Sequence, residues 1–106
     1  MPVVTVTAPR LAESDLAAAL GEIAVAVAAA LELRPSDVHL VAVASAASAV
    51  GDRQVPALPV VLLHGGRRAR SAMEAARDAA ADVAARRWNC PPERVWVQWV
   101  LTDEER

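Results

Sequence analysis

The two halves of this chain match each other without a gap at a constant offset of 57 residues. Four pairs of identical residues other than alanine and valine match at this offset. They are Pro2 with Pro59, Arg10 with Arg67, Ser14 with Ser71, and Pro35 with Pro92. The chain is rich in alanine and valine, so matches of those two types carry little weight, but these rarer matches are hard to obtain by chance. The pattern predicts a duplicated unit, over about 2–49 and 59–106, within a single domain that spans 1–106.

Each half has the sequence pattern of a strand, a helix and a second strand. Runs of β-branched residues predict strands, and apolar residues spaced by threes and fours predict a helix between them. The predicted strands are 3–7, 38–43, 59–63 and 95–100, and the predicted helices run from 14 to about 33 and from 71 to about 87.

Serines and glycines indicate where these elements begin and end. We expect Ser14 to cap the first helix, and Ser71 to cap the second in a capping box with Glu74. The dipeptides 51–52 and 65–66 contain glycine and predict turns.

A β-α-β unit joins two parallel strands through a right-handed crossover. Two such units side by side predict an α/β fold with a four-stranded mixed sheet and both helices on one face. The other face of this valine-rich sheet would then be uncovered and apolar, so we expect the chain to self-associate through it.

Charge and composition exclude several classes of function. The net charge of −2 provides no basic surface for nucleic acid. All 11 basic residues are arginine, so lysine chemistry is excluded, and the single Cys90 can form neither an internal disulfide nor a metal cluster. The longest apolar-rich stretch, 23–31, is about half of a membrane span, and no signal peptide is visible. We therefore expect a cytoplasmic protein that binds no membrane.

Several segments of the chain resemble the tautomerase superfamily. They are the proline after Met1 that opens a strand, the turn at Arg10-Leu11, the strand 60–63 that leads into 68–71, and the closing segment 92–97. The resemblance covers nearly the whole chain and includes relatives such as 4-oxalocrotonate tautomerase and macrophage migration inhibitory factor. It implies a homotrimer that acts on a small carboxylate substrate without a metal or cofactor.

In this family the initiator methionine is removed and the exposed proline is the catalytic group, which here is Pro2. A free α-amine titrates near pH ~8, and nearby arginines and partial burial lower that pKa toward neutrality. Such a base can take a proton next to a carbonyl and return it elsewhere. The resemblance thus implies a keto–enol tautomerase of a small 2-oxo or 2-hydroxy acid. If Met1 is retained, the Pro2 nitrogen is an amide, and the alternative is an inactive trimeric binding module.

Arginines are the candidate substrate-binding residues. Arg67, Arg68 and Arg70 precede the second helix, where cations work against the helix dipole, and guanidinium groups bind carboxylates through two hydrogen bonds. Resemblance to malonate semialdehyde decarboxylase favours Arg68 and Arg70, whereas resemblance to cis-3-chloroacrylic acid dehalogenase favours Arg67 and Arg70. Arg10 occupies the equivalent turn in the first half and matches a substrate-binding arginine of the family.

Four further residues are weaker candidates for the site. Asp37 lies near the catalytic aspartate of the decarboxylase, so a decarboxylase-like lyase with Asp37 as a second acid/base is the alternative enzyme. His64 ends a strand and would face the proposed pocket. Trp96 and Gln98 alternate on one strand, where cytokine-like tautomerases place an aromatic residue and an amide from a neighbouring subunit.

Overall fold

The computed structural model describes residues 2–102 of the chain. Its elements are β1 (Val3–Ala8), α1 (Glu13–Leu31), β2 (His39–Ala44), the short strands β3 (Ala49–Val50) and β4 (Arg53–Gln54), β5 (Val60–Gly65), α2 (Arg70–Arg87) and β6 (Trp96–Leu101). A single 3-10 turn precedes each of β2 and β6. Met1 lies outside the described residues.

The elements of the first half recur 57 residues later in the second, in bounds and in hydrogen bonds. The N–H of His39 donates to the carbonyl of Pro2 at 3.0 Å, and the N–H of Trp96 donates to that of Pro59 at 3.1 Å. The ends of both helices also correspond, because Glu32 and Asn89 share a left-handed backbone, with φ of 59° and 54°.

The four long strands form one sheet in the order β2-β1-β5-β6. β1 is parallel to β2 and β5 is parallel to β6, whereas the two central strands, β1 and β5, are antiparallel. Both helices cover the same face of this sheet. The predicted fold class, a four-stranded mixed sheet with two helices on one face, is confirmed.

The core lies between the sheet and the two helices. Alternate residues of the central strands, such as Val4 and Leu63, are completely buried on this face, and Ile23 and Val27 of α1 pack against them. On α2 the inward positions include Ala76 and Ala80, whose small side chains let the helix approach the sheet closely.

One helix within residues 2–102, α1, could cross a membrane by its length and composition. Its most apolar positions, among them Ile23, Val27 and Leu31, are buried in the core. About a third of the apolar window of α1 is buried in this way (33%), and Val25 of the same helix is exposed.

The opposite face of the sheet carries exposed apolar side chains. Val41 is 40% exposed, Val43 is 48% exposed and Trp96 is 63% exposed. Large exposed apolar patches mark interaction sites in soluble proteins. Self-association through this face stays a prediction.

The predicted helix caps are wrong. α1 and α2 begin at Glu13 and Arg70, and their cap residues, Ala12 and Ala69, make no side-chain hydrogen bond. Each connection from strand to helix stays extended through the alanine, so Ser14 and Ser71 fall inside the first turn, past the capping position.

The two predicted turns have different outcomes. Gly51 adopts a positive φ of 63° in the turn that joins β3 to β4, as expected of a glycine there. The turn predicted at Gly65-Gly66 begins one residue late, because Gly65 is still paired with Leu101 of β6 as the last residue of β5.

Candidate functional site

Pro2 lies at one end of the sheet, immediately before β1, and is buried. Val3 pairs with His64, so the next residue of the antiparallel strand β5, Gly65, lies alongside Pro2. The carbonyl of Gly65 in turn accepts a hydrogen bond of 2.9 Å from the N–H of Thr102, which follows β6. The end of the chain that carries Pro2 is thus held between the start of β2 and the ends of β5 and β6.

The three arginines of the second half follow this point directly. After β5 ends at Gly65, the connection to α2 carries Arg67, which is exposed, and Arg68, which is half-buried, and Arg70 begins α2. Within residues 2–102 none of the three forms an ion pair; the ion pairs there use Arg34, Arg86 and Arg87. Three cations without acidic partners therefore come a few residues after the strand end that lies beside Pro2.

Two buried hydrogen-bond donors close to this strand end have no partner among the described residues. They are Nε of Arg68 and Nε1 of Trp99. An unsatisfied buried donor costs about 1–3 kcal/mol, so each of these two groups would be stabilised by an acceptor.

Trp99 is a neighbour of the site that sequence reasoning missed. A Cβ built on Gly65 would lie only 3.0 Å from Cζ2 of Trp99, so the indole lies directly over this glycine. The alternation of β6 places Trp99 on the covered face of the sheet. Its contact with Gly65 joins residues on two strands, and no local pattern reveals it.

The two histidines of the chain flank Val3 on the uncovered face. Val3 pairs with His39 of β2 on one side and with His64 of β5 on the other. His64 is half-buried and His39 is exposed. His64 thus lies one residue from the position beside Pro2, and its facing a pocket stays a prediction; His39 was not predicted to lie near Pro2. The parallel pairing of β1 and β2 brings it there.

Arg10, Trp96 and Gln98 do not reach Pro2 within one chain. β1 has six residues, and at about 3.3 Å per residue it separates Pro2 from Arg10 by about 20 Å. Trp96 pairs with Val60 at the end of the sheet far from Pro2, and Gln98 lies in the middle of β6. These three residues could meet Pro2 only across a boundary between subunits.

Asp37 lies at the Pro2 end of the sheet but is held by a neighbouring residue. Its Oδ2 accepts a hydrogen bond of 3.1 Å from the backbone N–H of Arg34 and lies 3.6 Å from Nε of the same arginine. This carboxylate therefore closes the 3-10 turn before β2.

A cleft of about 370 Å³ opens beside the arginine segment, between α2 and β6. Arg70, Glu74 and Arg77 line it on the helix side, and Trp99 and Leu101 line it on the strand side. The cleft thus combines an aromatic wall with charges of both signs.

No protein-family model matches the chain, and no curated protein matches it. Among solved structures, the wild-type R7 fused 4-OT asymmetric trimer is 17% identical, with a TM-score of 0.87 over 94% of this chain and 85% of the other. Pt0534 inactivated by 2-oxo-3-pentynoate is 13% identical, with a TM-score of 0.83 over 94% and 85%. Macrophage migration inhibitory factor of Toxoplasma gondii is 17% identical, with a TM-score of 0.78 over 94% and 89%. The chain therefore has the fold shared by 4-OT-like and MIF-like members of the tautomerase superfamily, as its sequence predicted.

Proposed function

We propose that this chain, whose fold is that of the tautomerase superfamily, is a cofactor-independent keto–enol tautomerase of a small 2-oxo or 2-hydroxy acid. Pro2, freed by removal of Met1, is the acid/base. The observation that carries the proposal is the position of Pro2 beside Gly65, from which the chain continues into three arginines that have no acidic partner within residues 2–102.

The arginines would bind and polarise the substrate. Arg68 has a buried Nε without a partner among the described residues, and a substrate carboxylate would supply an acceptor. A second guanidinium, from Arg67 or Arg70, would stabilise the negative charge that develops on the oxygen at C2. Charge-assisted hydrogen bonds of this kind are about twice as strong as neutral ones.

The proton transfers balance without a further reactant. The Pro2 nitrogen accepts the proton of the enol hydroxyl at C2, and the O–H electron pair becomes part of the new C=O bond. The C2=C3 electron pair then takes the proton back from the Pro2 ammonium at C3. A single group that first accepts and then donates suffices.

A 2-oxo acid is the substrate class that we favour. One protein of the same fold, Pt0534, is inactivated by 2-oxo-3-pentynoate, so a site built on this fold can react with such a compound. Asp37 takes no part in the proposal, because its carboxylate is already bound to Arg34.

We further propose that the chain is a cytoplasmic homotrimer. The fused 4-OT to which it is similar is a trimer, and the exposed Val41, Val43 and Trp96 give the uncovered sheet face an apolar surface suited to contact between subunits. In such an assembly, Trp96 and Gln98 would complete the site of a neighbouring subunit. We leave Arg10 out of the carboxylate-binding set of its own chain, since it is about 20 Å from Pro2.

The test begins with the intact mass of the purified full chain. A mass without Met1 is expected, and a mass that includes Met1 in fully active or fully inactive protein would overturn catalysis by Pro2. The ketonisation of phenylenolpyruvate is then followed by absorbance for the parent chain and for Pro2→Ala.

We expect Pro2→Ala to lower kcat/KM by about 100-fold or more, the usual contribution of a general acid/base. Pro59→Ala is the matched control, because Pro59 is the repeat counterpart of Pro2 but has its nitrogen in an internal peptide bond. Unchanged turnover in Pro2→Ala would end the proposal.

A further inference from the structure

The first half of the chain has a cleft of about 510 Å³ beside the start of α1. It lies between α1 and β2, at the end of β1 that is far from Pro2. Ala8, Leu16 and Ala42 line its floor and walls, and Arg10 and Glu13 line its rim. None of the residues that we assign to proton transfer belongs to it.

The second half of the chain shows what this space can hold. Ala42 corresponds to Trp99, and Ala8 corresponds to Gly65, at the offset of 57 residues. In the second half the indole of Trp99 lies over Gly65, at a separation that leaves no room for a Cβ. In the first half the two residues are alanines, so this place between strand and helix has no indole, and the cleft there is about 510 Å³, against about 370 Å³ for the cleft beside Trp99.

One wall of the cleft beside α1, which we call the first cleft, is an indole ring held in place by a hydrogen bond. Trp88, at the end of α2, lines the cleft, and its Nε1–H donates a hydrogen bond of 2.8 Å to the carbonyl of Pro9. This bond orients the indole ring, and a second aromatic ring can pack against it with an offset or edge-on geometry.

The rim of the first cleft carries one charge of each sign. Arg10 and Glu13 both line it, and within residues 2–102 neither forms an ion pair with the other or with another residue. A ligand with only a carboxylate would be repelled by Glu13, and a ligand with only an ammonium group would be repelled by Arg10. A zwitterion complements both.

We propose that the first cleft binds a small aromatic α-amino acid. The ring occupies the space that the indole of Trp99 occupies in the second half and packs against Trp88. The carboxylate binds Arg10 and the ammonium group binds Glu13. This site is separate from the proposed tautomerase site and does not depend on it.

The test uses L-tryptophan as the probe and the full chain, with binding measured by calorimetry and by the NMR shift of the Trp88 indole N–H. Ala8→Gly/Ala42→Trp copies the second half into the first and fills the cleft. We expect it to lower the affinity by at least about tenfold, while Ala8→Gly alone, the matched control, keeps the binding. Circular dichroism reports whether each variant is folded.

Two further variants test the charged residues at the rim of the cleft. They test the proposed binding site even if the double variant does not fold. Arg10→Gln is expected to weaken L-tryptophan about tenfold and to strengthen tryptamine, which lacks the carboxylate and is repelled by Arg10. Glu13→Gln is expected to weaken L-tryptophan and to strengthen indole-3-propionate, which lacks the ammonium group and is repelled by Glu13.

Three results would overturn the inference. They are no binding of L-tryptophan by the folded parent chain, unchanged binding by a folded Ala8→Gly/Ala42→Trp variant, and binding that Pro2→Ala abolishes while the double variant keeps it. The last result would move the ligand to the Pro2 end of the sheet without contradicting the proposed tautomerase.

Discussion

The Nε–H of Arg87 on α2 donates a hydrogen bond of 2.7 Å to Oε1 of Glu22 on α1. Arg86 approaches the other oxygen of the same carboxylate at 3.5 Å. The hydrogen bond from Arg87 lowers the pKa of Glu22 below its ordinary value of 4.5. These contacts join the two helices on the side that faces away from the sheet.

The stabilisation from Glu22 should depend on pH. Because its pKa is lowered by folding, its contribution is fully present above about pH 4.5 and is lost as the pH falls through the lower pKa of the folded chain. We expect Glu22→Gln to unfold at lower urea concentration than the parent chain near neutral pH. The two midpoints should converge as the pH is lowered toward 3.

Glu74→Gln is the control for this prediction, since Glu74 is exposed and forms no ion pair within the described residues. It should not change the pH dependence. A constant difference between the parent chain and Glu22→Gln across the acid range would contradict the assignment.

Gly65→Ala should destabilise the chain, because its new Cβ would lie 3.0 Å from Cζ2 of Trp99. Overpacking of this kind costs about 1–3 kcal/mol, which chemical denaturation can measure. Gly21→Ala is the matched control: a Cβ there meets nothing within 4 Å, and Gly21 lies inside α1. It should stabilise the chain by about 0.5–1 kcal/mol. Equal effects of the two substitutions would show that the indole does not lie over Gly65.

Arg68→Gln should raise the KM for phenylenolpyruvate by about tenfold or more, with a smaller effect on kcat, because it removes a charged donor to the carboxylate. Arg68→Lys should recover little, since lysine keeps the charge but lacks the planar fork. Arg53→Gln, at an exposed position of β4, serves as the control and should leave KM unchanged. A KM for Arg68→Gln equal to that of Arg53→Gln would remove Arg68 from the site.

Val43→Asp should dissociate the proposed trimer. Val43 is 48% exposed on the uncovered face of the sheet, and Val25 is 56% exposed on α1, on the other side of the molecule. The same substitution at Val25 is therefore the matched control and should leave the mass measured by light scattering unchanged. A charge buried between subunits is costly unless it is paired. Dissociation by Val25→Asp alone would place the contact on the helices instead.

The repeat and the alternation of apolar residues were enough to predict the sheet and both helices, while the fold family followed from the resemblance to the tautomerase superfamily. Prolines at corresponding positions precede the strands of each unit, and runs of β-branched residues are a strong local signal for strands. The capping serines were predicted wrongly because the exact start of a helix depends on how the preceding strand leaves the sheet. A shift of one residue moves a serine out of capping position.

The candidate site was predictable only in part. Pro2 and the arginines after β5 follow from the family resemblance and lie at one end of the sheet. Trp99 was missed because its contact with Gly65 joins two strands, and a sequence read one strand at a time does not show which residues pack across them. The separation of Arg10 from Pro2 follows from the length and direction of β1, which matter only once the strands are assembled.

The correspondence of Pro2 and Pro59 has a consequence for stoichiometry. Both prolines precede a central strand and accept the same hydrogen bond from the strand beside them, but the nitrogen of Pro59 is acylated by Leu58 and cannot carry a proton back and forth. If Met1 is removed, as we propose, a chain made of two such units has one proline nitrogen that can act as a base, that of Pro2. An inactivator that labels this nitrogen should therefore saturate at one equivalent per chain. The residues around Pro59 are then not constrained by this chemistry.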